Sequence, residues 1–332
     1  MSSPGSPAAG SIAPTALWSG VAFALGAGLM WGLVFAGPQM LPQYPAALLA
    51  FGRYLAFGLM AVGLAALDWK RLRELSRSDW LAAARLSLVG NVIYYLFLAS
   101  AIQQAGGPLP TMIIGTLPVV IALISNRRDA KRDGRLPWLS LLPALLLTAT
   151  GLAFVNHDEL ARLRAQPDGD LGAYGLGALL AVGAVICWTW YPLANADWLR
   201  AHPDRSPRVW ATAQGLVTLP IAAAGYAGTW IYLEATGSPF PMPFGPDPLA
   251  FLALMAAIAL FASWLGTLCW NEASQRLPTR LVGQLIVFET LAALAYAFVL
   301  RGQWPPAMTA AGIGLLVLGV VVAVRPPRAS SG

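Results

Sequence analysis

In "GQLIVFETLAALAYAF", residues 283–298, a single carboxylate interrupts an apolar run. A carboxylate in such a place has three uses: it can take up a proton, hold an ammonium, or tie helices together as a protonated or paired strut. Glu289 lies about 11 residues from the outer end of its span, roughly 16 Å at the helical rise. At the middle of a bilayer a carboxylate costs about 2.5–3.5 kcal/mol, so the side chain is expected to face protein and not lipid. Val282, Leu285, Ala292, Ala293 and Tyr296 share its helical face. The alanines suit close packing, and Tyr296 can reach a hydrogen-bond partner.

One guanidinium is placed comparably. Arg53, in "PAALLAFGRYLAFG", sits seven residues into its own apolar run, roughly 10 Å deep. It can serve as counter-charge to Glu289, bind a substrate carboxylate, or snorkel outward on its long stem. Arg85 lies near the end of a run, where snorkelling is the better reading. Asn91 and Gln284 are midspan amides that either bind substrate or bridge helices. Trp31, Tyr94, Tyr95, Trp188 and Trp264 lie within apolar runs. Aromatic residues normally form belts at membrane interfaces. That account suits Trp190, Tyr191 and Trp270, at the ends of their runs. It suits Tyr94, Tyr95 and Trp264 poorly, and these three are expected to line a cavity.

Composition defines what positions these groups. The 332 residues are 57% hydrophobic and 11% charged, with mean hydropathy +0.62; a soluble domain carries roughly 25% charged residues. Ten stretches are long enough to cross a bilayer as helices, at about 17–37, 46–67, 80–101, 108–125, 137–155, 172–192, 209–232, 249–271, 281–300 and 306–324. The Pro/Ser/Gly-rich segment 1–16 reads as a disordered tail, without the basic region and cleavage site of a signal peptide. Sixteen of the 21 Lys and Arg fall in connectors 2–3, 4–5, 6–7 and 8–9 and the C-terminal tail, against three in the opposite connectors. The positive-inside rule therefore puts both termini in the cytoplasm of a bacterial-type inner membrane. The net charge of +6 is a topology signal. No basic face for nucleic acid is visible.

The longest polar connector, 157–171, divides the chain into 17–156 and 172–325, followed by a short tail, 326–332. The halves are alike: span 3 ends "LASAIQQAGGPLPT" and span 8 ends "NEASQRLPT", and each half opens with a Trp- and Gly-rich helix. Five spans per half is an odd number, so the second copy must insert upside down, an arrangement frequent among secondary transporters. Gly28 and Gly32 are spaced for close helix approach. Pro38, Pro118, Pro143, Pro192 and Pro220 can break or kink helices.

At these residues the chain resembles a known family. "LMWGLVFAGPQML" is similar to the Trp-Gly signature opening the EamA-type repeat of the drug/metabolite transporter superfamily. "YPAALLAFGRYLAFGLMAVG" resembles its second helix, with Arg53, and "LASAIQQAGGPLPTMIIGTLPVVIALI" its helix 3–4 junction, with Pro118. The second half departs from the pattern: many members have a Glu just after span 9, where this chain has Gln303. Instead Glu289 stands where the first half has Pro118, within one residue. The resemblance implies an all-α, polytopic membrane protein of ten transmembrane helices in two inverted five-helix repeats. Within the superfamily the chain is most similar to exporters of aromatic and other amino acids.

The leading reading is a secondary transporter of amino acids, with the bilayer and a small-molecule substrate as partners, as a monomer or dimer. Efflux of cationic lipophilic drugs is the alternative, since Glu289 and the aromatic rings would suffice for a cation. A membrane-embedded enzyme is remote. Cys187, Cys269, His157 and His202 show no metal-ligand spacing and no nucleotide-binding glycine loop is present, so no catalytic residue, metal or cofactor is expected.

Overall fold

The computed structural model describes residues 14–105, 110, 113–128, 138–164, 171–302 and 304–324, and among these no strand occurs. Helix α1 spans Pro14–Met40 and α2 Ala46–Leu72. The third rod is α3 (Arg77–Leu86), a π-helical segment Ser87–Ile93, and α4 (Tyr94–Ala105). Then follow α5 (Leu117–Arg128), α6 (Trp138–Arg164), α7 (Leu171–Ala201) and α8 (Pro207–Ala235). The eighth rod repeats the third: α9 (Pro248–Ile258), a π-helical segment Ala259–Leu265, and α10 (Gly266–Arg276). Helices α11 (Thr279–Leu285), α12 (Val287–Arg301) and α13 (Ala307–Val324) complete the chain.

Each expected span overlaps one rod, with α11 and α12 counting as one. Among the described residues seven rods are long and apolar enough to cross a membrane, and shorter apolar helices cover Leu142–Phe154 and Ala307–Gly319. The burial pattern is the reverse of a soluble protein's. Leu139 and Leu249 are each 80% exposed, whereas Arg53 and Glu289 are each 4% exposed. Apolar groups outside and charges inside fit a hydrocarbon solvent; the protein is an all-α, polytopic membrane protein. One boundary differs from expectation. The polar connector foreseen from residue 157 continues α6 as helix to Arg164, because "ELARLR" is made of good helix formers.

Local chemistry sets the helix ends. Ser76 and Asp79 form a reciprocal capping box before α3. Asp247 caps α9 through the Ala250 amide, with Pro248 at the first helical position. Gly302 ends α12 at φ 60°, where only glycine is unstrained.

Packing follows a cross-over between halves. Helix α1 lies on α10 and α12 of the second half; α7, its counterpart, lies on α4 and α5 of the first. Helix α2 packs on α8, α5 on α11, and α6 on α13. Each of these contacts has its mate in the other half or joins two counterparts, as two inverted repeats related by a pseudo-twofold axis would. The spacing of Gly28 and Gly32 serves this contact. A Cβ on Gly28 would stand 2.9 Å from the backbone nitrogen of Glu289, and one on Gly32 would stand 2.7 Å from the Cβ of Ala292. Helix α1 thus lies directly against the turn that carries Glu289.

Candidate substrate site

The ninth rod is broken at Ile286, and Glu289 sits in the first turn of the resumed helix α12. A helix N-terminus presents free amides and a positive dipole end, so a carboxylate there is favoured. The fourth rod is interrupted at the matching place, at Gly115–Thr116, just before α5 and Pro118. Two interrupted helices at corresponding positions are a known way to build a midplane site. Tyr296, two turns on, donates to the carbonyl of Leu29 at 2.8 Å and fixes α12 on α1.

Arg53 faces inward and not to lipid. Its Nε donates to Ser263 Oγ at 2.9 Å. The rings of Tyr54 and Tyr95 lie 4.8 and 4.7 Å from its guanidinium carbon. Arg53 and Glu289 line one enclosed cavity, together with Asn91, Tyr94, Trp31 and Trp188. They do not touch: among the described residues no ion pair joins them. Two charges of opposite sign face a shared space, and its volume is about 10 Å³, room for roughly one water molecule.

Aromatic rings wall this space. Trp188 stacks on Tyr94 at 4.6 Å and on Tyr191 at 5.1 Å, and meets Trp31 edge-on at 4.9 Å. Each such pair contributes about 0.5–1.5 kcal/mol beyond area burial, so Trp188, shared by three, is the keystone of the wall. Trp31 is pinned by its indole N–H on the carbonyl of Ala262 at 2.9 Å. Two other buried polar atoms in the wall have no partner, Arg53 Nη1 and Tyr94 Oη; the Trp188 indole N–H instead faces the Glu289 carboxylate. Buried polar groups are nearly always satisfied. Two unsatisfied ones on one cavity mark a place where something else supplies the bonds.

Of the candidates read from sequence, Glu289, Arg53, Asn91, Tyr94, Trp31 and Trp188 come together here. Tyr95 does not line the cavity. It is fully buried behind Arg53, with its hydroxyl on the carbonyl of Val34 at 3.2 Å. Trp264 also points elsewhere, toward Thr212 Oγ1 at 3.4 Å. Gln284 belongs to α11, but its side chain lies outside the described residues. Tyr191 and Trp270 are not interfacial belt residues: Tyr191 is fully buried and bonds Gln214 Oε1 at 3.1 Å, and Trp270 packs 5.0 Å from Trp31. Trp190 is exposed, as a belt residue would be, and Arg85 is exposed in the last turn of α3. Sequence reasoning passed over Tyr54, Ser263 and Thr267, all in the cavity wall. A hydroxyl alone in the apolar run "ALFASWLG" was the available signal for Ser263.

At its two ends the bundle is tied between the halves by different chemistry. At the end where the basic connectors meet, Arg208 grips Asp68 with Nε and Nη2 at 2.9 and 2.5 Å. Arg205 pairs with Glu74 at 2.9 Å, and Trp198 donates its indole N–H to Asp79 at 3.1 Å. A buried amide network lies above: Asn195 bonds Asn271, Trp210 and Gln214 at 2.8, 2.9 and 3.2 Å. At the opposite end the tie is made by Tyr44. Its hydroxyl donates to the Phe244 carbonyl and accepts from the Asp247 amide, both at 2.9 Å, and its ring stacks on Phe251 at 5.0 Å.

Comparison with known proteins agrees with this architecture. Residues 18–154, the first five-helix half, match the EamA-like transporter family. Over 307 residues the chain is 56% identical to "Inner membrane protein YtfF" of Escherichia coli (strain K12), covering 92% of this chain and 95% of that protein. A crystal structure of a protein 20% identical superposes with a TM-score of 0.67, over 92% of this chain and 97% of the other. At that identity the likeness concerns the fold.

Proposed function

The chain belongs to the EamA-like transporter family, and on that premise we propose that it is a secondary transporter exporting neutral amino acids, aromatic ones among them, across the inner membrane by alternating access. The observation that carries this reading is the set of groups facing one cavity. A free amino acid presents an anion, a cation and an apolar side chain. Arg53 offers an unpartnered guanidinium nitrogen to the anion, Glu289 a carboxylate to the ammonium, and Trp31, Tyr94 and Trp188 a surface for the side chain. A cavity with room for one water cannot hold such a molecule, so the described state is occluded, and binding requires the rods to part.

Efflux of cationic lipophilic compounds is the second reading, favoured by the carboxylate among aromatic rings. It would leave Arg53 Nη1 buried without a partner. Uptake into proteoliposomes decides between them. The amino-acid reading expects saturable uptake of radiolabelled phenylalanine or tryptophan, competed by other neutral amino acids and weakly by a quaternary ammonium dye. Uptake of the dye alone overturns it.

We place both termini in the cytoplasm on the asymmetry of the basic connectors, which makes the ionic contacts a cytoplasmic seal and the Tyr44 contacts a periplasmic one. In intact cells a membrane-impermeant thiol reagent is expected to modify Gly237→Cys and to spare Arg73→Cys. The reverse pattern would invert the protein.

A further inference from the structure

The two π-helical segments each have seven residues and match position by position. The fourth residues, Gly90 and Ala262, and the fifth, Asn91 and Ser263, all line the cavity. Here the halves diverge. Among the described residues the Asn91 amide makes no hydrogen bond and is left to face the cavity. Ser263 instead accepts the Arg53 Nε across the boundary between the halves.

That bond decides where the guanidinium points. An Arg side chain has many rotamers, and holding one costs entropy. Here one edge of the guanidinium is taken by Ser263, and Tyr54 and Tyr95 flank it. Tyr95 is itself held by the Val34 carbonyl. The edge that remains carries Nη1, buried and without a partner. A guanidinium matches a carboxylate only when its N–H groups are presented in the right plane.

Without the hydroxyl, Nε would be a buried donor with no acceptor. The guanidinium would then be free to leave the plane in which it presents Nη1 to the cavity.

We infer that Ser263 is the positioning residue that gives this site its selectivity for a free carboxylate, by aiming Arg53 Nη1 into the cavity. This rests on the amino-acid reading of the site.

The test uses purified protein in proteoliposomes with phenylalanine and with phenethylamine, which has the same side chain and ammonium but no carboxylate. For Ser263→Ala the KM for phenylalanine is expected to rise roughly tenfold, the loss of one hydrogen bond to a charged group, with the maximal rate little changed. Inhibition by phenethylamine should stay as in the parent. Ser263→Thr, which keeps the hydroxyl, should restore the parent KM. Thermal melting in detergent identifies any variant that fails to fold; if Ser263→Ala is one, Ser263→Cys, a weak acceptor of similar shape, takes its place with the same expectation. An unchanged phenylalanine KM in the folded variant overturns the inference, as does an equal loss for amino acid and amine, which would mark Ser263 as part of a hinge. A parent protein that carries phenethylamine and not phenylalanine sinks the substrate reading as well. One that carries phenylalanine with an indifferent residue 263 sinks this inference alone.

Discussion

Glu289→Gln is expected to lower amino-acid transport about 10- to 100-fold while leaving the folded yield and the melting temperature close to those of the parent. The substitution keeps shape and hydrogen bonding and removes only the charge. An interaction between a charged group and its partner is worth about 1.5–3 kcal/mol, which sets the size of the effect. The side chain is 4% exposed and faces the cavity from the first turn of α12, so little packing changes. Two assays separate its roles. If Glu289 holds the substrate ammonium, transport down a pH gradient and exchange of substrate for substrate should weaken together. If it carries a coupling proton, only the gradient-driven mode should fail. A variant that transports normally but melts earlier would leave Glu289 a structural strut and end the functional reading.

Arg53→Gln should have a comparable effect with the opposite selectivity. Among the described residues the guanidinium is the single basic group in the cavity wall, and removing it leaves Glu289 without an opposing charge. Phenylalanine transport is expected to fall about 100-fold, the upper range for a charged hydrogen-bonding group. Phenethylamine, which needs only the carboxylate and the rings, should bind as well as before or better. Stability should move less than for most buried charges. Replacing a buried ion costs most when it strands an oppositely charged partner in direct contact, and Arg53 has no such contact. If both compounds weaken equally, Arg53 organises the rods and does not read the substrate.

The helices could be read from sequence because a bilayer demands long apolar runs, and the basic connectors supply an orientation. The depth of a residue could be read for the same reason: counting along a run gives its position along the rod. The direction a side chain points could not. Tyr94 and Tyr95 have the same depth, but adjacent helical residues point about 100° apart. Only Tyr94 reaches the cavity, and Tyr95 turns behind Arg53. Trp264 shows the same limit. Depth alone puts Tyr191 and Trp270 at an interface, yet α8 and α1 cover them. The π-helical segments leave no mark in composition, so the matched places of Asn91 and Ser263 emerge only in three dimensions. The amides Asn195, Gln214 and Asn271 sit near the ends of apolar runs, where polar residues are ordinary. Their mutual network was therefore not legible.

The two seals differ in a way that reaches beyond the bilayer. Arg208–Asp68 and Arg205–Glu74 attract through charge, and charge is weakened by dissolved ions; the screening length is about 8 Å at 0.15 M and about 3 Å at 1 M. The Tyr44 seal relies on a hydroxyl, two backbone groups and stacked rings, which salt hardly touches. With the orientation proposed above, the salt-sensitive door faces the cytoplasm, whose composition the cell regulates. The indifferent door faces the surroundings, which it does not. A cell moved from dilute to saline water would find the outer latch of this carrier as firm as before.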